Sequence, residues 1–125
     1  MKNQIDGFLK AAAEPTRLRI LNLLRLGSVC VCDIQAILRL PQPAVSRHLA
    51  LLRHVGLVLD RRQGNRILYT LAPATTPQME ALHQLVESCS TCEQLLQNDL
   101  RILGEALKQG QCAVSEFREK ETFVS

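Results

Sequence analysis

Five cysteines carry the most distinctive chemistry in this chain of 125 residues, and four of them occur in close pairs. Cys30 and Cys32 have one residue between them, Cys89 and Cys92 have two, and Cys112 stands apart. So few cysteines, in an odd number, do not make a disulfide framework. Close thiol pairs in a reducing compartment indicate instead a site for a soft metal ion or thiol redox chemistry.

The spacing of Cys30 and Cys32 suits a chelate only where the backbone between them is extended. Residues two apart point to the same side of an extended segment, whereas on a regular helix they diverge by about 200°. We therefore expect the start of the helix that follows to stay unwound or to distort when both thiols bind one ion. The alternative is that one or both are buried as small hydrophobic residues.

Cys89 and Cys92 would share one face of a helix. Three interpretations stay open for them: a chelating pair, a redox pair, or two thiols in a dimer seam. A thioredoxin-like site is not expected, because the pair lies within a predicted helix with no strand before it. We interpret Cys112 as a bystander in residues 111–125, a polar segment expected to be a flexible tail.

Charge is concentrated in the segment from Arg39 to Tyr69. This segment holds six arginines and one acid, a net charge of +5, whereas the remaining residues sum to −2. A compact basic block predicts a surface that binds a polyanion. The four aromatic residues include no Trp, which argues against single-stranded nucleic acid bound by base stacking.

The elements that must position these side chains are four helices, a hairpin and a last helix. Apolar residues at helical spacing, prolines at helix starts and glycines at helix ends indicate the boundaries. The predicted helices cover residues 5–13, 15–27, 32–38 and 43–56, with a short extended segment over 28–31.

The fourth helix carries two distinct faces. Val45, Leu49 and Leu52 form an apolar face, and a small, polar and basic face lies near its N-terminus. Two helices joined by such a tight turn predict a helix-turn-helix whose second helix enters the major groove of double-stranded DNA. The residues predicted to contact DNA from this helix are Gln42, Ala44, Ser46, Arg47 and His48.

A hairpin follows directly. The apolar runs 57–59 and 67–71 flank an arginine-rich link that contains the turn dipeptide Gly64-Asn65. A two-stranded β-hairpin in this place is a wing, and its polar residues would reach phosphates or the minor groove. The wing residues predicted to contact DNA are Arg62, Asn65 and Arg66.

The last helix is predicted as one rod from Pro77 to Lys108, about 45 to 50 Å long. Its apolar residues alternate at three and four positions, with Glu93 as the exception. Such a stripe predicts pairing across a homodimer, and packing on its own domain is the alternative. The fold class is therefore mainly α: one winged helix-turn-helix domain over residues 1–110, with dimerisation helices at both ends and a long C-terminal dimerisation helix.

Several function classes are excluded by what the sequence lacks. The longest segment without charge, 67–79, is too short to span a membrane, and Asp6 precedes any apolar run, unlike a signal peptide. We therefore expect a cytoplasmic protein. No Gly-rich phosphate loop or paired-carboxylate motif occurs, so we predict no enzyme and no organic cofactor.

Four sequence blocks together resemble the ArsR/SmtB family of winged-helix metalloregulatory repressors. Ala-Glu-Pro-Thr-Arg-Leu-Arg-Ile-Leu at 13–21 precedes Cys-Val-Cys-Asp at 30–33. Gln-Pro-Ala-Val-Ser-Arg-His-Leu at 42–49 and Arg-Arg-Gln-Gly-Asn-Arg at 61–66 follow. The resemblance extends over about residues 5–108, and it implies a homodimer that blocks a promoter and leaves its operator DNA when a toxic ion binds.

The Cys-Val-Cys-Asp block is similar to the ligand element of arsenite and antimonite repressors and of some cadmium and lead repressors. The resemblance thus implies As(III) or Sb(III) as the inducer, bound by Cys30 and Cys32. The arsenic type has a third cysteine where this chain has Gln35, and the cadmium/lead type uses cysteines of an N-terminal arm that residues 1–29 lack. Cys89 or Cys92 is our candidate third ligand.

Three hypotheses from different classes remain. The first is a repressor that responds to arsenite or antimonite. The second is a winged-helix repressor that senses another soft metal (Cd or Pb), sulfide or oxidants through its cysteine pairs. The third is a small thiol redox enzyme, which only the pair Cys89 and Cys92 favours. Operator binding would exclude the third, and release by arsenite under reducing conditions separates the first from oxidant sensing.

Overall fold

The computed structural model describes residues 2–109. The predicted tail, with Cys112, lies outside the described residues. No helix of the described part is long and apolar enough to cross a membrane. The elements in chain order are α1 Lys2–Ala12, α2 Pro15–Leu24, β1 Val29–Cys30, α3 Val31–Leu38, α4 Gln42–Val55, β2 Val58–Gln63, β3 Arg66–Leu71, α5 Pro77–Cys92 and α6 Gln94–Gln109.

The helix-turn-helix and the wing are confirmed. Glu14 caps α2 by accepting a hydrogen bond of 2.9 Å from the backbone N–H of Arg17, and Pro15 occupies the first turn. Arg39 takes the left-handed conformation, with φ of 57°, in the turn between α3 and α4. Gly56, with φ of 90°, ends α4, since a residue without Cβ adopts this conformation at little cost.

The sheet has three strands, although only the hairpin was predicted. The extended segment at Val29 and Cys30 pairs antiparallel with β3, opposite Tyr69 and Leu68, which gives the order β1-β3-β2. Burial is the main cause that raises the pKa of Tyr69, which lies opposite Val29 of β1. The two-residue strand joins the helix-turn-helix to the wing.

A single core connects these elements. Ile20 and Leu23 of α2 and Leu49 and Leu52 of α4 are fully buried. They pack in one cluster with Val29 of β1 and with apolar residues of the wing and α5. The recognition helix therefore stands on a rigid base rather than on a loop.

The prediction of one long C-terminal helix is wrong, because the chain breaks at Glu93 and forms two helices. Glu93 is extended, with φ of −102° and ψ of 121°. Just before it, the Thr91 hydroxyl donates a hydrogen bond of 2.8 Å to the Ser88 carbonyl, and small hydroxyl residues of this kind weaken helices. Leu96 and Leu103 of α6 are buried within their own domain. These two residues of the apolar stripe therefore follow the alternative interpretation, in which the stripe packs on its own domain instead of pairing across a dimer.

A buried ion pair holds α6 on α2. The Arg19 guanidinium donates two hydrogen bonds, of 2.9 and 3.0 Å, to the Asp99 carboxylate, which is only 2% exposed. The hydrogen bond with Asp99 raises the pKa of Arg19 against the opposing effect of burial. Beside it, the Asn22 amide donates to the Leu96 carbonyl at 3.1 Å. These polar contacts set the position of α6.

We predict that Asp99→Asn lowers the free energy of unfolding by about 3 kcal/mol, because it leaves a partly buried guanidinium without its counter-ion. Urea unfolding at one fixed protomer concentration measures the effect. The control is Glu105→Gln, which breaks an exposed pair with Arg101 on the same helix and should cost less than about 0.5 kcal/mol. Equal, small effects of both changes would show that the Arg19–Asp99 pair does not anchor α6.

Candidate thiol site and nucleic-acid interface

The recognition helix α4 presents the face that the sequence predicted. Val45, Leu49 and Leu52 point into the core. Of the predicted contact residues, Gln42 and Arg47 are exposed, and Ala44, Ser46 and His48 are half-buried. The Gln42 amide donates to the Ser46 hydroxyl at 3.0 Å, one helical turn apart. Small and polar groups therefore cover the N-terminal half of the exposed face, as entry into a major groove requires.

The His48 ring faces the corner between α1 and α2. Its Nδ1 lies 3.2 Å from an Arg17 guanidinium nitrogen and 3.9 Å from the Glu14 carboxylate. Arg17 in turn donates a hydrogen bond of 2.7 Å to the Ala11 carbonyl. The His48 contact with DNA stays a prediction, and in the structure this side chain ties α4 to α1 and α2. Local sequence patterns carried no signal for this contact, because Arg17 and His48 are 31 residues apart.

The wing projects its polar tip into solvent. Arg62 lies opposite Ile67 in the hairpin and is exposed. Gly64, with φ of 62°, forms the turn with exposed Asn65. At the base of the hairpin, the Arg53 guanidinium of α4 is 3.0 Å from the Asp60 carboxylate of β2. This ion pair joins the wing to the recognition helix, so Arg62 and Asn65 have a defined position relative to α4.

Cys30 and Cys32 lie together at the start of α3, with 3.0 Å between their sulfurs. Cys30 ends β1 and is extended, with φ of −73° and ψ of 144°, while Cys32 lies in the first helical turn. α3 is regular and begins at Val31, between the two thiols, and the unwinding that was expected when both thiols bind one ion stays a prediction. A residue just before a helix turns its side chain over the first turn, and this brings the sulfurs together without distortion.

The two thiols differ in their surroundings. Cys30 is 3% exposed and packs with Leu68 of β3 and Leu107 of α6, whereas Cys32 is exposed. A guanidinium nitrogen of Arg66 lies 3.7 Å from the Cys32 sulfur and 4.0 Å from the Cys30 sulfur. Arg66 was predicted as a DNA contact of the wing, and this role stays a prediction. Its head group reaches back to the thiol pair.

The structure does not bring the candidate third ligands to this pair within one protomer. Cys92 immediately precedes Glu93 and α6, whereas Leu107 near the other end of α6 packs on Cys30. A helix of this length spans about 24 Å. Cys89, half-buried, and Cys92, exposed, therefore lie far from the pair. Within residues 2–109 no three His, Cys, Asp or Glu side chains are grouped to hold a metal ion.

The pair itself suits a soft ion. Two sulfurs that share an ion lie within twice a metal–thiolate bond of about 2.3 Å, and a distance of 3.0 Å meets that condition. Thiolate ligands select soft ions over hard ones. The described residues thus place together two thiols that could serve as ligands of a soft ion.

An apolar groove runs between α1 and α5. Leu9 of α1 and Leu85 of α5 are 57% and 55% exposed. Neighbouring apolar side chains of this size that are exposed to solvent are typical of an interaction surface. The groove between them is lined by six apolar residues and one polar one: Ile5, Phe8, Leu9, Ala81, Leu82, Leu85 and Gln78. It lies on the two helices that the sequence analysis expected at a dimer interface.

Comparisons with known proteins agree with this architecture. The family model described as "Bacterial regulatory protein, arsR family" matches residues 14–59. The arsenical resistance operon repressor of Escherichia coli (strain K12) is 46% identical over 86 residues, which are 68% of this chain and 71% of that protein. The arsenic resistance transcriptional regulator ArsR1 of Pseudomonas putida is 42% identical over 74 residues, 58% of each chain.

A solved structure extends the agreement to the fold. The transcriptional repressor BigR from Xylella fastidiosa superposes with a TM-score of 0.61 at 30% sequence identity. The match covers 73% of this chain and 87% of that one.

The geometry of α4 and the wing predicts two separable effects on DNA binding. Arg62→Ala should weaken binding to any duplex and reduce the salt dependence by about one released ion for each bound chain, since each chain loses one phosphate contact. Ser46→Ala or Arg47→Ala should instead cost about 1–3 kcal/mol of discrimination between operator and random DNA. Fluorescence anisotropy titrations over a range of salt concentrations measure both.

The control is Arg101→Ala, which removes an exposed arginine of α6 outside the α4 and wing surface. The affinity of the Arg101→Ala protein for DNA, its salt dependence and its discrimination between operator and random DNA should all be unchanged. An Arg62→Ala protein with unaltered affinity and salt slope would show that the wing tip does not contact phosphate.

Proposed function

The chain belongs to the arsR family of bacterial regulatory proteins, and from this premise we propose that arsenite or antimonite is the signal that releases it from its operator. Its relatives and fold neighbours are transcriptional regulators. The chain is likewise a winged-helix transcriptional repressor and not an enzyme. The hypothesis of a small thiol redox enzyme is therefore abandoned.

The observation that carries the proposal is the pair of sulfurs 3.0 Å apart at the start of α3. Arsenous acid reacts with thiols without a change of oxidation state: each As–S bond forms as the thiol proton leaves with one hydroxide as water. Two neighbouring thiols make this exchange favourable, because the second bond forms within one molecule. The names of the two relatives, an arsenical resistance operon repressor and an arsenic resistance regulator, support arsenic as the ion.

A third sulfur has to come from outside the described pair. Gln35 occupies the position of the third cysteine in the arsenic type, and Cys89 and Cys92 are at the far end of α6 from Cys30. As ligands, these two would have to belong to the second protomer. Cys112 is the remaining thiol of the chain.

The DNA partner is a double-stranded operator read by α4 and the wing. Gln42, Ala44, Ser46 and Arg47 would contact bases and adjacent phosphates, and Arg62 and Asn65 would contact the backbone or the minor groove. The Arg53–Asp60 ion pair supports this assignment, because it couples the two contact surfaces. We place this activity in the cytoplasm, where operator DNA and reduced thiols are both present.

We also propose that the protein is a homodimer paired through the groove of α1 and α5. A second copy is the occupant we favour, because a two-fold reader matches the two half-sites of an operator. The exposed leucines on both helices would supply the apolar centre of the interface. The part of the dimer prediction that concerned α6 is not retained, since Leu96 and Leu103 are buried within the protomer.

Leu85→Glu should raise the dimer dissociation constant at least tenfold, which is about 1.4 kcal/mol, because each protomer would place a carboxylate in an apolar contact. Sedimentation velocity over a dilution series measures the shift. Leu95→Glu is the matched control, since Leu95 is a leucine of α6 with 52% exposure. If only the control dissociates the dimer, the interface lies on α6.

Cys32→Ser should preserve operator binding and abolish release by arsenite, because a hydroxyl is a poor ligand for a soft ion. Cys32 is the cleaner position, since Cys30 is buried and its change to Ser also alters the core. The measurement is operator affinity with and without arsenite in a reducing buffer. Full release of the Cys32→Ser protein by arsenite would contradict the proposal.

The matched series is Cys89→Ser, Cys92→Ser and Cys112→Ser, assayed in the same way. A loss of response in one of these would identify the third sulfur. Cadmium, lead and an oxidant without metal are tested in parallel on the wild-type protein. Release by one of these, but not by arsenite or antimonite, would favour the alternative of another soft metal or of thiol oxidation.

A further inference from the structure

Arg66 is a wing residue whose side chain contacts both thiols of the pair. Its backbone begins β3, opposite Gln63 in the last pair of the hairpin. Its guanidinium lies 3.7 Å from the Cys32 sulfur and 4.0 Å from the Cys30 sulfur. We propose that Arg66 couples the two sites, so that an ion bound by the thiols displaces the guanidinium and thereby loosens the DNA-contacting tip of the wing. This inference rests on the proposed function.

The backbone of the thiol pair is poorly suited to carry the signal. The sulfurs already lie 3.0 Å apart beside a regular α3, so binding requires no unwinding of that helix. Cys30 is also held by its pairing with Leu68 and by the packing of Leu107. Something other than the start of α3 must therefore move.

Arg66 meets that requirement. Its side chain is half-buried, and it approaches the pair on the side of the exposed Cys32. A thiolate that binds a soft ion keeps further electron pairs for hydrogen bonds, so an ion and Arg66 compete for the space beside Cys32 and not for the same electron pair. An ion and its remaining ligands need the space beside Cys32 that the guanidinium occupies. Ion binding and the Arg66 contact are therefore mutually exclusive.

The wing tip depends on this anchor. Arg66 directly follows the Gly64-Asn65 turn, and Arg62 lies on the neighbouring strand. With the guanidinium held at α3, the tip is fixed relative to the helix-turn-helix. Without it, the tip keeps its hairpin hydrogen bonds and the Arg53–Asp60 ion pair at the base of the hairpin, but it loses the contact with the start of α3 that helps to position Arg62 and Asn65.

A different role for Arg66 makes a distinct prediction. If Arg66 only contacted phosphate, its loss would weaken operator binding equally with and without the ion, and the ratio of the two dissociation constants would not change. If Arg66 couples the sites, its loss weakens ion-free binding selectively and the ratio falls toward one. The ratio, and not the affinity, separates the two roles.

The experiment compares wild type, Arg66→Gln and the matched control Arg62→Gln as full-length proteins in reducing buffer. Operator dissociation constants are measured by fluorescence anisotropy with and without arsenite. We expect a ratio in the range of roughly 5- to 150-fold for wild type and for Arg62→Gln, and a ratio below about threefold for Arg66→Gln. Arg62→Gln should weaken both binding states equally.

Calorimetric titration of each DNA-free protein with arsenite supplies the second readout. Arg66→Gln should bind arsenite at least as tightly as wild type, since no guanidinium has to be displaced. Its affinity for arsenite should be nearly the same with and without operator, as the reciprocity of coupling demands. Arg66→Lys should restore part of the ratio, because it retains the charge without the planar head group.

The two proposals fail in distinguishable ways. A wild-type protein that stays on its operator in the presence of arsenite would overturn the proposed function. A wild-type protein that is released, together with an Arg66→Gln protein whose ratio equals that of wild type, would overturn only the role of Arg66. Loss of arsenite binding in Arg66→Gln would also overturn it, because Arg66 would then belong to the ion site.

Discussion

The two-residue pairing of β1 with β3 is the constraint on which the arrangement of this protein depends. Val29 and Cys30 lie opposite Tyr69 and Leu68, so the start of α3 is fixed to the strand that leads out of the wing tip. The same pairing ends the extended backbone at Cys30 and leaves it just before the first turn of α3. One short ladder thus creates the thiol pair and sets it beside the wing.

Local signals predicted most of the DNA-binding half. The apolar face of α4, Pro43 in its first turn, Gly56 at its end and the Gly64-Asn65 turn are all features that neighbouring residues determine, and the structure confirms them. The third strand was not predicted as part of the sheet, because two residues show no periodicity and their partners lie about 40 residues away. The start of α3 at Val31 depends on that pairing and was misplaced with it.

The C-terminal half shows why a periodic pattern can mislead. Alternating spacings of three and four residues suit one long helix in a dimer, and they suit equally two helices that pack on the same domain. The choice is made by Arg19 and Asp99, which are 80 residues apart, and by Glu93, the one residue that departed from the stripe. A single sequence contains no indication that these two charges meet. The candidate thiol site was likewise predictable in its residues but not in the contact with Arg66.

The two thiols of the pair differ in their exposure to solvent. α6, held on α2 by Asp99, packs Leu107 against the cluster of Cys30 and Leu68, and Cys30 is buried while Cys32 is exposed. The exposed sulfur, that of Cys32, is also the one that the Arg66 guanidinium approaches more closely, at 3.7 Å. The packing of α6, which belongs to neither the helix-turn-helix nor the wing, thus contributes to the difference in exposure between the two thiols.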